Sequence, residues 1–94
     1  MTTEIRHEPD NQRYALLLDG QLAAVADYRI NENAVSIHRT FTQPNQRGKG
    51  LAAEVVEFAV NDIEANSERR IVPMCWYVAD WFERHPERAG LLNR

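Results

Sequence analysis

Ninety-four residues, 44% of them hydrophobic, suit one small domain over 1–94 with a single modest core and leave no room for a second. A net charge of −3, with no basic run interleaved with aromatics, argues against nucleic-acid binding through a general positive field. One cysteine excludes an internal disulfide framework and, with three scattered histidines, offers no ligand set for structural zinc.

The polar, charged stretch Met1 to Asp10 lacks the basic stub and apolar block of a secretory signal, and no apolar run is long enough to cross a membrane. A cytoplasmic setting is therefore expected. Glu4 to Glu8 reads as a first short strand, ended by Pro9-Asp10-Asn11. Arg13 to Leu18 alternates, with Tyr14, Leu16 and Leu18 on one side, and Asp19-Gly20 is a strong hairpin signal because both central positions of such a turn favour φ > 0. Gln21 to Ile30 returns as the next strand, with Leu22, Ala24, Ala26, Tyr28 and Ile30 expected on one face and Asp27 and Arg29 on the other. Asn31-Glu32-Asn33 turns the chain again. Ala34 to Thr42 then forms a fourth strand, with Val35, Ile37 and Phe41 expected on a common face, and pairing should end by Gln43 because Pro44 has no N–H to donate.

Arg47-Gly48-Lys49-Gly50-Leu51-Ala52 follows, between this strand and a helical repeat from Leu51 to Ala65. The first turn of a helix has unpartnered N–H groups and a partial positive charge, so an anion fits there. Gly48 and Gly50 let the backbone turn tightly and approach a bulky diphosphate, while Arg47 and Lys49 add positive charge. The plainer reading is that the two glycines only make a turn. No Gly-x-x-x-x-Gly-Lys-Ser/Thr run exists, and Gly-x-Gly-x-x-Gly fails because Ala53 stands three after Gly50.

The helix places Ala52, Val55, Val56, Ala59 and Ile63 on one stripe, with Glu54, Glu57, Asn61, Asp62 and Glu64 elsewhere on its surface. Asn66-Ser67 ends it. Arg70 to Met74 reads as a short fifth strand whose Pro73 points to an edge or a bulge. Trp76 to His85 has Val78, Trp81, Phe82 and His85 at helical spacing, Pro86 interrupts it, and Glu87 to Leu92 forms a short turn.

The glycine loop resembles the Gln/Arg-x-x-Gly-x-Gly/Ala signature of the GCN5-related N-acetyltransferases, with Arg47, Gly50 and Ala52 at its defined positions. Ile71-Val72-Pro73-Met74-Cys75-Trp76-Tyr77-Val78, followed by Phe82-Glu83-Arg84-His85-Pro86-Glu87, is similar to the C-terminal pattern of a small single-domain branch of that superfamily. Together these stretches span roughly Thr40 to Leu92. The resemblance implies a compact α/β (α+β) fold with a mostly antiparallel sheet of about five strands and two main helices. It further implies that residues 47–52 hold the pyrophosphate of acetyl-coenzyme A, that the backbone of Phe41 and Thr42 pairs with the pantetheine amides, and that Cys75 stands where the thioester arrives.

A thiolate there can accept the acetyl group, since one thioester replaces another. The competing mechanism is direct attack by an amine, with Tyr77 as acid for the departing thiolate. On residue type alone, a lone cysteine at a strand end is usually a small buried hydrophobe. The branch has His-Thr before the loop, and counting back from Arg47 puts Thr40 on its threonine but Arg39 on its histidine. His38 therefore qualifies as a base only if a bulge shifts the register; otherwise it faces solvent beside Ser36. His7 and His85 read as surface or packing residues, and Trp76 and Trp81 as closing the core or lining the coenzyme groove.

Three function classes follow: an acetyl-coenzyme A-dependent N-acetyltransferase acting on an amine of a small molecule or protein, a coenzyme A-binding module without turnover, and a small α/β interaction protein. Asp80, Glu83 and Glu87 could attract a cationic acceptor or simply form a solvated face. No metal is expected, and oligomeric state and acceptor are left open.

Overall fold

Asp19 and Gly20 take φ of +50° and +82°, the mirror-image turn their residue types favour, and this turn starts a meander. The computed structural model describes residues 2–94. Its strands are β1 (Thr3–Glu8), β2 (Arg13–Leu18), β3 (Gln21–Asn31), β4 (Ala34–Thr42) and β5 (Arg70–Pro73), and its helices are α1 (Leu51–Asn66) and α2 (Trp76–Arg84). Three short 3₁₀ turns, at Pro9–Asn11, Pro44–Gln46 and Pro86–Leu92, each begin with a proline, whose fixed φ suits a first helical position. The sheet runs β1-β2-β3-β4-β5, antiparallel through β4. β5 pairs parallel with β4, the arrangement that the intervening helix α1 allows. Pro73 therefore closes an edge strand, as its missing N–H requires.

Two irregularities set which side chains meet. Leu16 pairs with Ala24 and Leu17 with Leu22, so Ala23 is an extra residue in β3, and its carbonyl accepts from the Gln43 N–H at 2.8 Å. Leu22, expected with Ala24 and Ala26, is thereby turned to the opposite face, where it packs with Ala15, Leu17 and Val25. In β4, Asp27 pairs with Arg39 and Tyr28 with Ile37, which makes His38 the extra residue. Phe41, expected beside Val35 and Ile37, is moved to that same opposite face. A single inserted residue inverts every side chain beyond it, which a period-two pattern does not anticipate.

Both helices pack on the face that carries Tyr14, Leu16, Ala24, Tyr28 and Ile37. α1 contributes Leu51, Val55, Val56, Ala59, Val60 and Ile63 to the core; Ala52, expected on the stripe, is only half-buried. α2 adds Val78, Trp81 and Phe82. At the far end of α1, Arg94 donates from Nη2 to the carbonyls of Ile63 (3.1 Å) and Ser67 (2.7 Å), a cation on the negative end of the helix. The opposite sheet face has the small cluster around Val25, rimmed by the pairs Arg13–Glu8 and Arg39–Asp27 at 2.6 and 2.7 Å. Among the described residues, no helix is long and apolar enough to cross a membrane, and no group of three or more His, Cys, Asp or Glu could hold a metal ion.

Ile37 is 1% exposed where β4 leaves β5. Ile37→Ala should cost about 2–5 kcal/mol through lost transfer and a residual cavity. A chain of this size is stabilised by only roughly 5–14 kcal/mol. The melting temperature should then fall on the order of ten to thirty degrees. A drop of only a degree or two in thermal denaturation would show that the split is not part of the core.

Candidate active site

The glycine loop reaches α1 with Gly48 at φ +85° and Gly50, the residue that precedes the helix, at φ +75°. These left-handed conformations explain why glycine stands at both positions. A Cβ built at either would meet nothing within 4 Å, so the space in front of the loop is open. The first bond into the helix runs from the Glu54 N–H to the Gly50 carbonyl at 3.2 Å, and no side chain caps this end. The N–H groups of Leu51, Ala52 and Ala53 therefore have no intrahelical acceptor. Arg47 and Lys49 are exposed beside them; Lys49 Nζ donates to Gln46 Oε1 at 2.6 Å, and Arg47 enters no ion pair among the described residues.

β4 and β5 stay paired only from Ala34 with Arg70 to Ile37 with Pro73. There the N–H groups of Met74 and Cys75 converge on the one carbonyl of Ile37, at 3.0 and 3.2 Å, and the strands part. The bulge at His38 coincides with the parting. Beyond it, Arg39 to Thr42 pair with β3 alone, so the other edge of β4, including Phe41 and Thr42, is left without a strand. His38 itself is exposed.

The same bulge brings Thr40 to the helix-bearing face, with its Oγ1 3.6 Å from Cys75 Sγ across the gap. Cys75 is half-buried and immediately precedes α2. Burial alone would push its thiol up, but the Thr40 hydroxyl and the backbone N–H groups of Tyr77, Val78 and Thr40 favour the charged form and together leave it below the ordinary thiol value. A cysteine at a helix start with donors facing it is the setting in which thiolates form near neutral pH. Thr40→Val should accordingly raise the midpoint of a pH profile of iodoacetamide alkylation at Cys75. An unmoved midpoint would remove Thr40 from the thiolate's support.

Tyr77 is half-buried, and burial raises its phenol above the usual range, with Asp80 adding to the rise and Arg84 opposing it. It stays protonated at neutral pH and can donate. Trp76 is 78% exposed and Met74 65% exposed, on either side of Cys75. Trp81 is buried in the core and, with Trp76, Ala53 of the first α1 turn, Tyr77, Asp80 and Arg84, also borders a cleft of about 460 Å³. His85 is a packing residue, stacked on Trp81 at 4.0 Å. Sequence reasoning missed Thr40 as a partner of Cys75, because only the bulge puts the two on one side.

A family model described as GCN5-related N-acetyl-transferase matches residues 13–91. Among solved structures, the chain is similar to a ribosomal-protein-alanine N-acetyltransferase from Brucella melitensis biovar Abortus 2308, with a TM-score of 0.62 and 17% identity over 78% of this chain. At that identity the likeness is one of fold. The chain spans 61% of the length of that protein. No curated protein matches it.

Proposed function

The chain belongs to the GCN5-related N-acetyltransferase family, and from that premise we propose that it binds acetyl-coenzyme A and transfers the acetyl group to an amine through Cys75. The observation that carries this reading is the alignment of three features along one route. The open loop at Gly48 and Gly50 leads into free helix amides, the end of β4 has an unpaired edge, and Cys75 stands at the split, its anion favoured. The residues present fit the coenzyme: the N–H groups of Leu51 to Ala53 suit a diphosphate, with Arg47 and Lys49 as counter-charges. The edge of Phe41 and Thr42 suits the pantetheine amides.

In the first half-reaction, the Cys75 thiolate bonds to the thioester carbonyl carbon while the coenzyme's carbon–sulfur bond breaks, and Tyr77 can supply a proton to the departing thiolate. In the second, an amine nitrogen attacks the acetyl-cysteine, the amide forms and Cys75 returns as thiolate, the amine's proton passing to water or to Tyr77. Trp76 and Tyr77 give the adjoining cleft an aromatic side from which an amine would arrive, while Asp80 there is paired with Arg84 at 2.9 Å. The cytoplasmic setting expected from the sequence belongs to this reading.

Millimolar acetyl-coenzyme A should raise the melting temperature, because a ligand that binds only the folded state stabilises it by mass action. Thiol release should follow when small amines, lysine peptides or peptide N-termini are added. No thermal shift would remove the transferase and the binding module together and leave a small α/β interaction protein; a shift without thiol release from any amine would leave the binding module.

A further inference from the structure

A second pocket, of about 290 Å³, lies at the opposite end of α1 from the glycine loop. Asp62, on the last turns of the helix, is eleven residues past Leu51, on the order of 17 Å along the axis. Its floor is aromatic: Tyr14 and Tyr28 are 2% and 4% exposed, their rings 5.5 Å apart, and His7 is stacked on Tyr14 at 4.3 Å. The polar atoms are held in place. Tyr14 donates its hydroxyl to Asp62 Oδ2 at 2.6 Å, Asn66 Nδ2 donates to Asp62 Oδ1 at 2.8 Å, and Tyr28 Oη and His7 Nε2 are 2.6 Å apart. His7 Nδ1, at 3.6 Å, is the sole cationic-type group within ion-pair range of Asp62 among the described residues. A half-covered carboxylate thus faces an aromatic cavity without a permanent counter-charge.

Arg69 lines the same pocket and supplies the opposite sign. Its Nε donates to the Glu32 carbonyl at 2.8 Å, which fixes the guanidinium, and it enters no ion pair among the described residues. Ile30, 46% exposed, forms an apolar lip. A carboxylate with only His7 in ion-pair range, a guanidinium held by the Glu32 carbonyl and an apolar, aromatic wall line one pocket, a complement to a small zwitterion.

We propose that this pocket binds a free α-amino acid with an apolar side chain, its ammonium on Asp62, its carboxylate on Arg69 and its side chain against Tyr28 and Ile30. The site is separate from the acetyl-transfer machinery and does not depend on that reading. L-Leucine titrated into the ¹⁵N-labelled protein should shift the amides of His7, Asp62 and Arg69 saturably, while those of residues 47–52 and Cys75 stay in place. 3-Methylbutylamine, which lacks the carboxylate, and 4-methylpentanoate, which lacks the ammonium, should each bind about tenfold more weakly or worse. Asp62→Asn, which keeps an acceptor for Tyr14, and Arg69→Gln, on an exposed side chain, should each weaken leucine binding about tenfold and leave an acetyl-coenzyme A titration unchanged. The proposal is overturned if leucine gives no saturable shifts, if the shifts fall on residues 47–52, or if the amine alone binds as tightly as leucine.

Discussion

After incubation with acetyl-coenzyme A and no acceptor, the intact mass of the wild-type protein is expected to rise by one acetyl group, and that of Cys75→Ala not at all. Thioester exchange is nearly balanced in free energy, so excess acetyl-coenzyme A drives the adduct to accumulate, at a rate set by the fraction of Cys75 present as thiolate. Burial opposes the thiolate, but the Thr40 hydroxyl and the N–H groups of Tyr77 and Val78 favour it and leave the thiol below its ordinary value. The sign follows directly: a thiol held below its ordinary value is more ionised at neutral pH, and acylation should fade as pH falls through that lowered value. With an amine present, Cys75→Ala should lose roughly a hundredfold or more in turnover. Wild-type turnover by the alanine variant would mean that the amine attacks the coenzyme's thioester directly and that Cys75 only packs against the split.

The second large effect concerns the loop. Gly50→Val is expected to weaken coenzyme A binding by at least roughly a hundredfold, for two separable reasons. A β-branched side chain at φ +75° strains the backbone by about 1–2 kcal/mol or more, and its methyl groups enter the open space in front of the helix amides. Gly20→Val is the control, since Gly20 has the same handedness, φ +82°, with equally open surroundings, in the β2–β3 hairpin. Both variants should lose stability, but only Gly50→Val should lose the coenzyme by calorimetry. Equal affinities in the two would place the diphosphate elsewhere.

Local chemistry made much of this fold readable. The Asp19-Gly20 turn, the prolines and the helical spacing from Val55 to Ile63 each allow few conformations, and every strand and both helices lie where those signals put them. Hidden from the sequence were the two extra residues, Ala23 and His38. Nothing in their identity forces a bulge, which arises from the fit between neighbouring strands. Leu22 and Phe41 were consequently expected on the wrong face, and the approach of Thr40 to Cys75 was invisible. The pocket at the far end of α1 was hidden for a related reason: His7, Tyr14, Tyr28 and Asp62 come from four elements, and Asp62 looked like one more solvated helix carboxylate. By contrast, the glycine turn into α1 was legible because its six residues are contiguous.

The β4–β5 junction rests on four paired positions, against eight between β3 and β4, and together with the packing of α2 it holds Cys75 beside Thr40. Hydrogen exchange should therefore find the amides of β5 and α2 opening more readily than the hairpins, in a partial unfolding that dismantles the thiol's surroundings while leaving the meander intact. A ligand lodged across that seam would slow such opening, and its presence could be followed in the protection of the last quarter of the chain.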